Sequence, residues 1–301
     1  MQTYNAVDRL WTDIIGCPIF TAGAEFGYVV YNDNLYLCNA VESYYKFDGT
    51  TFTAYATAPK GNILEVFEDR MFVAGVTAEP LTAYYSEISD PTDWATTTNV
   101  VKPLGTDFVT ALENYYGQLL IFKTESIWKL TFIFDQVVSL FVPKLEAQTN
   151  NYGACARKTT SWVENDIWFF TGREVRAIGY KDQQTGILGI NTSVISEQIK
   201  ETLKLLSNTK YDQCLTRYNN RRFYLSIPLV ADTNDTTFVC HTLYKNQWTK
   251  YEGRDKANIN SMLFLEGDIY SSTSSPPYGV LDWQVDTVDT EDLNNSLVTE
   301  S

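Results

Sequence analysis

The sequence predicts an all-β fold, and three observations carry that prediction. The chain of 301 residues holds 20 Tyr, 16 Phe and 7 Trp beside many Thr, Val and Ile, side chains that suit a pleated, half-buried surface. A polar turn followed by a strand of large apolar residues recurs along it. One segment alone shows convincing helical periodicity.

The recurring unit reads NDNLYLCN from Asn32, EDRMFVAG from Glu68, YGQLLIFK from Tyr116, ENDIWFFT from Glu164, NRRFYLSI from Asn220 and EGDIYSST from Glu266. Aligned on the first large residue (Leu35, Met71, Leu119, Ile167, Phe223 and Ile269), successive copies stand 36, 48, 48, 56 and 46 residues apart. A period in the mid-forties with several strands per unit is that of a β-propeller blade, whose small sheet must stack on its neighbours to bury both faces. The expectation is a propeller of five to six four-stranded blades, or seven.

Each copy is preceded by a second strand pattern: EFGYVVY, NILEVF, FVTALENY, TTSWV, DQCLTRY and INSMLFL. Strand, short polar turn and strand make a hairpin. A third, often aromatic, element follows each copy: SYYKFDGTTFTAY, TAYYSEISDPTDW, SIWKLTFIF, EVRAIGY, FVCHTLYKNQWTKYEG and YGVLDWQV. In the first, second and fifth, it breaks at a Gly, Asp or Asn turn and resumes at an aromatic, which predicts a fourth strand there.

The 56-residue interval calls for an insertion. It contains NTSVISEQIKETLKLLSN, Asn191 to Asn208, where Ile195, Ile199, Leu203 and Leu206 recur at helical spacing and Glu197, Lys200, Glu201 and Lys204 face away. An amphipathic helix is expected near 193–207, with Ser193 as N-cap and Ser207-Asn208 as its end. Residues 1–285 read as a single propeller domain, and the acidic, Asn-rich stretch 286–301 as a flexible or docking tail.

The formal charge is −14, and no Lys/Arg-rich stretch exists to displace counterions, so specific nucleic-acid binding is not expected. The amino terminus lacks the basic and apolar blocks of a secretory signal, and no window has the length of a membrane span. Five scattered cysteines, Cys17, Cys38, Cys155, Cys214 and Cys240, form neither a disulfide framework nor a C-x-x-C zinc pair. They read as small buried apolar residues.

Several residues are of types that could carry chemistry. A Ser-His-Asp set rests on one histidine, His241, inside the strand pattern TFVCHTLY, where a sheet histidine is the expected role. ADTNDTT, Ala231 to Thr237, offers oxygens for a hard cation but reads as a solvated hairpin tip. Asp90 and Asp93 in YYSEISDPTDWA, Tyr84 to Ala95, are two carboxylates beside aromatics, as glycoside hydrolysis would need. The competing reading is a corner: Pro91 sets a turn, Asp90 bonds its own downstream backbone and Trp94 returns the chain to a buried layer. Ile88 and Asp90 stand where the sialidase Asp-box pattern needs aspartate and glycine, so that motif fails. Tyr84, Tyr85, Tyr115 and Tyr116 read as core or cross-strand packing. No catalytic, cofactor-binding or metal residue is assigned.

The order of these segments resembles the β-propeller portion of tail proteins of tailed bacteriophages, notably tail nozzle proteins and related proteins that retain packaged DNA. The likeness lies in YYKFDGTTF, NILEVFEDRMFVAG, YYSEISDPTDW, TDFVTALENYYGQLLIFKTESIWKL, GACARKTTSWVENDIWFFTGREVRAI, VISEQIKETL, RFYLSIP and LYKNQWTKYEG, spanning about residues 42 to 252. Nozzle proteins are usually longer, with platform and fibre-docking regions beyond the propeller. The resemblance implies a non-enzymatic virion protein, folded in the host cytoplasm. It would dock other tail or connector proteins and form a homo-oligomeric, hexamer-like ring around the DNA channel. An acidic surface there would keep phosphates from sticking, since like charges repel across a Debye length of roughly 8 Å. The alternatives are a receptor- or glycan-binding adhesin and a hydrolase of surface polysaccharide.

Overall fold

The structure is a computed structural model that describes residues 2–5, 10–14, 16–21, 23–95, 97–137, 139–182, 187–190, 194–228, 235–242, 247–251, 259–265, 268–273 and 280–283. It is all-β, with five antiparallel four-stranded sheets. The first sheet comprises β3 (Gly27–Tyr31), β4 (Asn34–Cys38), β5 (Tyr44–Phe47) and β6 (Phe52–Tyr55). The second comprises β7 (Ile63–Phe67), β8 (Arg70–Ala74), β9 (Ala83–Tyr85) and β10 (Val100–Val101). The third has β11 (Val109–Tyr115), β12 (Gln118–Lys123), β13 (Ile127–Asp135) and β14 (Leu140–Thr149).

The fourth sheet has β15 (Thr160–Val163), β16 (Asp166–Phe170), β17 (Val175–Asp182) and β18 (Ile187–Ile190), and the fifth β19 (Leu215–Asn219), β20 (Arg222–Pro228), β21 (Asp235–His241) and β22 (Gln247–Tyr251). Among the described residues the sixth sheet has three strands, β23 (Ile259–Leu265), β24 (Asp268–Thr273) and β25 (Val280–Trp283). A separate hairpin pairs β1 (Gln2–Asn5) with β2 (Leu10–Asp13).

The six expected hairpins are all present, and the six aligned residues each fall second in their strand, from Leu35 of β4 to Ile269 of β24. Pairs such as Tyr31 with Asn34, Phe67 with Arg70 and Asn219 with Arg222 leave two-residue loops. Both loop residues have positive φ at Asn32-Asp33, Glu68-Asp69, Tyr116-Gly117 and Asn220-Arg221, the geometry that matches the right-handed twist of the flanking strands. Asparagine and glycine tolerate it, whereas a tyrosine is strained there. Tyr116→Asn is therefore expected to raise stability by about 0.5–1 kcal/mol, measured as an increase in Tm. An unchanged or lower Tm would show that the Tyr115–Tyr116 ring contact at 4.8 Å outweighs the strain.

Contacts group the chain into two compact units, Met1–Phe122 with Trp128–Ala147, and Lys123–Ile127 with Gln148–Ser301. In the first unit, alternation along β8 sends Met71 and Val73 into a cluster with Tyr36, Cys38 and Tyr44 of the first sheet. Phe72 and Ala74 point the other way, into a cluster with Leu119, Ile121 and Leu130 of the third. The middle sheet is thus buried on both faces. In the second unit, Trp168, Phe170 and Ala177 of the fourth sheet meet Phe223, Leu225 and Cys240 of the fifth.

The leading strands of neighbouring sheets also touch: β3 with β7 and β7 with β11 in the first unit, β15 with β19 and β19 with β23 in the second. Polar bridges tie them, including Asn114 Nδ2 to the Val66 carbonyl at 3.0 Å and Ser161 Oγ with Thr216 Oγ1 at 3.0 Å. Sheets that stack in chain order along their leading strands within each unit fit a propeller-like fold.

Two expectations need correction. The helix near 193–207 is only a 3-10 turn, Glu197–Ile199, followed by α1 (Lys200–Leu203) and, further on, a 3-10 segment, Asn208–Gln213. Its facing is as expected, with Ile195, Ile199, Leu203 and Leu206 buried and ion pairs Glu197–Lys200 and Glu201–Lys204 outside. It is short because its first turn is engaged elsewhere: the Ile195 N–H donates to the Val175 carbonyl at 3.0 Å, and Trp248 Nε1 donates to the Ile195 carbonyl at 2.9 Å. The proposed cap Ser193 lies outside the described residues, as does the tail 286–301.

The second correction concerns the second sheet, whose fourth strand is Val100–Val101 and not the run resuming at Trp94. β14 and β18 supply the fourth strands that four-stranded blades require in the third and fourth sheets, where no sequence segment is assigned to them. β14 carries no clear strand signal because none of its residues is buried: all are half-buried or exposed.

Candidate functional site

The corner after β9 is built from short-range polar bonding. Ser86 extends the sheet with its side chain, its Oγ accepting the Met71 N–H at 3.0 Å while its own N–H donates to the Met71 carbonyl at 2.9 Å. Ser89, at φ 57°, donates its N–H to the Asp69 carbonyl at 2.7 Å. The Glu87 N–H reaches the Asp93 carbonyl at 2.9 Å and closes the loop.

Within it, Asp90 Oδ1 accepts the Thr92 N–H at 2.9 Å and the Thr92 hydroxyl at 2.6 Å. These bonds to the Thr92 side chain and backbone hold the Asp90 carboxyl below its usual range, so it is an ionised acceptor near neutrality and cannot deliver a proton as a general acid would. Asp90 and Asp93 are both exposed, whereas Pro91 and Trp94 are buried. The indole of Trp94 meets the Tyr44 ring edge-on, at 5.5 Å between centroids and 75° between planes.

The first sheet uses the same chemistry. Asp48 Oδ1 accepts from the Thr50 N–H at 2.9 Å, the Thr50 hydroxyl at 2.7 Å and the Thr51 N–H at 2.8 Å, which lowers its carboxyl to about 2. Asp-Gly-Thr and Asp-Pro-Thr are thus two versions of one corner, in which a carboxylate caps the backbone two residues on. The third parallel, KNQW, begins at residues outside the described set. Its Trp248 is buried in the second unit's core, as Trp94 is in the first's.

The other candidate residues are dispersed. His241 ends β21 opposite Arg222 and Gln247, and burial, reinforced by the Arg222 charge, pushes its pKa down. Cys17 is half-buried and not buried as expected, whereas Cys38, Cys155, Cys214 and Cys240 are buried; burial pushes the Cys240 thiol up to about 12, the opposite of an activated nucleophile. Residues 231–234 of the acidic hairpin tip lie outside the described residues. Tyr85 and Tyr115 are buried, Tyr84 is half-buried and Tyr116 is exposed in its turn. Among the described residues no group of three or more His, Cys, Asp and Glu could hold a metal, and no helix is long and apolar enough to cross a membrane.

One surface feature escaped the sequence reading. The hairpin β13–β14 carries Ile133, Phe134, Val137, Leu140 and Phe141 exposed at its tip, with Phe134 54% and Phe141 61% accessible and their rings 5.4 Å apart. The signal was present as the run TFIFDQVVSLF, which has a single charge, Asp135, in eleven residues. Exposed apolar side chains clustered in this way at one hairpin tip mark a place for contact with another molecule.

No protein-family model matches this chain, and no curated protein does. Among solved structures, Kuenenia stuttgartiensis hydrazine synthase is similar in fold, with a TM-score of 0.52 and 12% sequence identity over 94% of this chain and 85% of that one. At that identity the likeness speaks for the fold alone.

Proposed function

We propose that this protein is a non-enzymatic structural component of a bacteriophage virion, placed in the tail or head-to-tail region, where copies dock around the DNA channel. In this reading the sheets are blades of one closed propeller. The supporting observation is order: the strand segments that carry the resemblance to phage tail propellers fall on five successive sheets, with VISEQIKETL forming the short helical element between the fourth and fifth. Two further features agree with assembly. The apolar β13–β14 tip offers a contact for a neighbouring tail subunit, and the net charge of −14 suits a surface past which phosphates slide.

The deciding experiment is cryo-electron microscopy of purified particles with mass spectrometry of their proteins. The chain is expected in the tail in several copies around its axis, and particles made without it are expected to lose packaged DNA. Intact, DNA-filled particles lacking the chain would end the proposal. Soluble protein that blocks phage adsorption to cells would favour an adhesin instead.

A further inference from the structure

A carboxyl group stands in a face where the fold elsewhere places hydrocarbon. Along β7, alternation puts Ile63, Glu65 and Phe67 on one side. Ile63 and Phe67 belong to the cluster shared with the third sheet, and so does Phe72, the antiparallel partner of Glu65. Glu65, half-buried, therefore lies in the seam between the second and third sheets. The adjoining leading strand β11 brings Glu113 to this level, where Asn114 ties the strands through the Val66 carbonyl at 3.0 Å.

The ionisable groups on the elements packed against β7 are Tyr28 and Tyr31 of β3, Tyr36 and Cys38 of β4, Arg70 of β8, and Glu113 and Tyr115 of β11. Arg70 is turned to aromatic rings, its guanidinium 4.6 Å from the centroid of Phe132 and 5.9 Å from that of Tyr85. Glu113 is the group whose charge acts on Glu65. Burial first, and the Glu113 charge in addition, push the Glu65 carboxyl from its ordinary 4.5 up to about 7, although the Val66 N–H, at 2.9 Å from Oε1, partly offsets them.

We propose that Glu65 and Glu113 form a pH-responsive latch between the second and third sheets. While Glu65 keeps its proton, β7 and β11 stay docked. When that proton passes to solvent, a negative charge is added at the half-buried seam beside the one that Glu113 already places there, and the leading edge opens. The sign follows from linkage: the folded state holds the proton more tightly than the unfolded chain. The stabilisation is therefore complete below the ordinary carboxylate range and is lost as pH rises through about 7.

The test is amide hydrogen exchange of β7 and β11 in the whole protein between pH 5 and 9, corrected for the intrinsic pH dependence of exchange. The opening equilibrium is expected to rise on the order of 10- to 100-fold across that range. Glu65→Gln, which keeps the shape and stays neutral, should retain the acid-state protection throughout. Glu113→Gln should give a smaller rise that begins at lower pH. Flat wild-type protection, or a Glu65→Gln profile that rises as the wild type does, overturns the latch. If Glu65→Gln does not fold, the wild-type and Glu113→Gln profiles decide, and identical profiles from those two overturn it as well.

Discussion

Replacing Trp94 by alanine is expected to lower the free energy of unfolding by about 3–5 kcal/mol, a large share of the roughly 5–15 kcal/mol that holds a typical domain folded. Trp94 is 8% exposed and belongs to the cluster that joins the first and second sheets, where it meets Tyr44, itself fully buried, edge-on. Its removal leaves a cavity the size of an indole between two sheets whose backbones are already fixed by their own ladders, so little collapse can fill it. The neighbouring carboxylates should matter far less. Asp90→Ala loses two exposed turn bonds and is expected to cost about 1 kcal/mol, and Asp93→Ala no more than about 0.5 kcal/mol. Urea denaturation of the three variants separates the readings, with the midpoint shifting and the slope unchanged. An Asp93→Ala loss as large as that of Trp94→Ala would show that the corner is held by charge and not by the buried ring.

That ranking shows what the sequence disclosed and what it hid. The hairpins were legible because their two signals are local: a two-residue polar loop that accepts positive φ, and an alternating strand on each side. The Asp90 corner was legible for the same reason, since an aspartate bonding its own downstream backbone involves neighbours in the chain. The length of the helix was not, because it is limited by Val175 and Trp248, residues distant in sequence that engage the Ile195 backbone. Strand β14 was hidden because an outer strand with one face half in solvent carries no regular pattern. The apolar hairpin tip is the opposite case: its residues were in view, but only tertiary structure tells an exposed Phe134 from a buried Phe132. Glu65 reads in sequence as an ordinary surface position of an alternating strand, and it is half-buried because its strand neighbours Ile63 and Phe67 pack into the cluster shared with the third sheet.

The second large effect is expected from a single methyl group. Gly27 begins β3, and a Cβ built there would stand 2.5 Å from the Asn62 carbonyl oxygen, 2.7 Å from its carbon and 3.1 Å from the Ile63 nitrogen. These are backbone atoms at the start of β7, so no side-chain rotation can make room, and the leading strands of two sheets must move apart. Gly27→Ala is therefore expected to cost about 2–3 kcal/mol by overpacking and to weaken the near-ultraviolet dichroism of the aromatic seam beside it. Gly49→Ala is the matched control: its φ is +95° and its Cβ would meet open space, so its cost, about 1–2 kcal/mol of backbone strain, should leave that signal intact. Both variants add the same atoms, and only one adds them between sheets. Equal losses of the dichroism signal from both, or from neither, would mean that the close approach of β3 to β7 does not set the spacing of the stack.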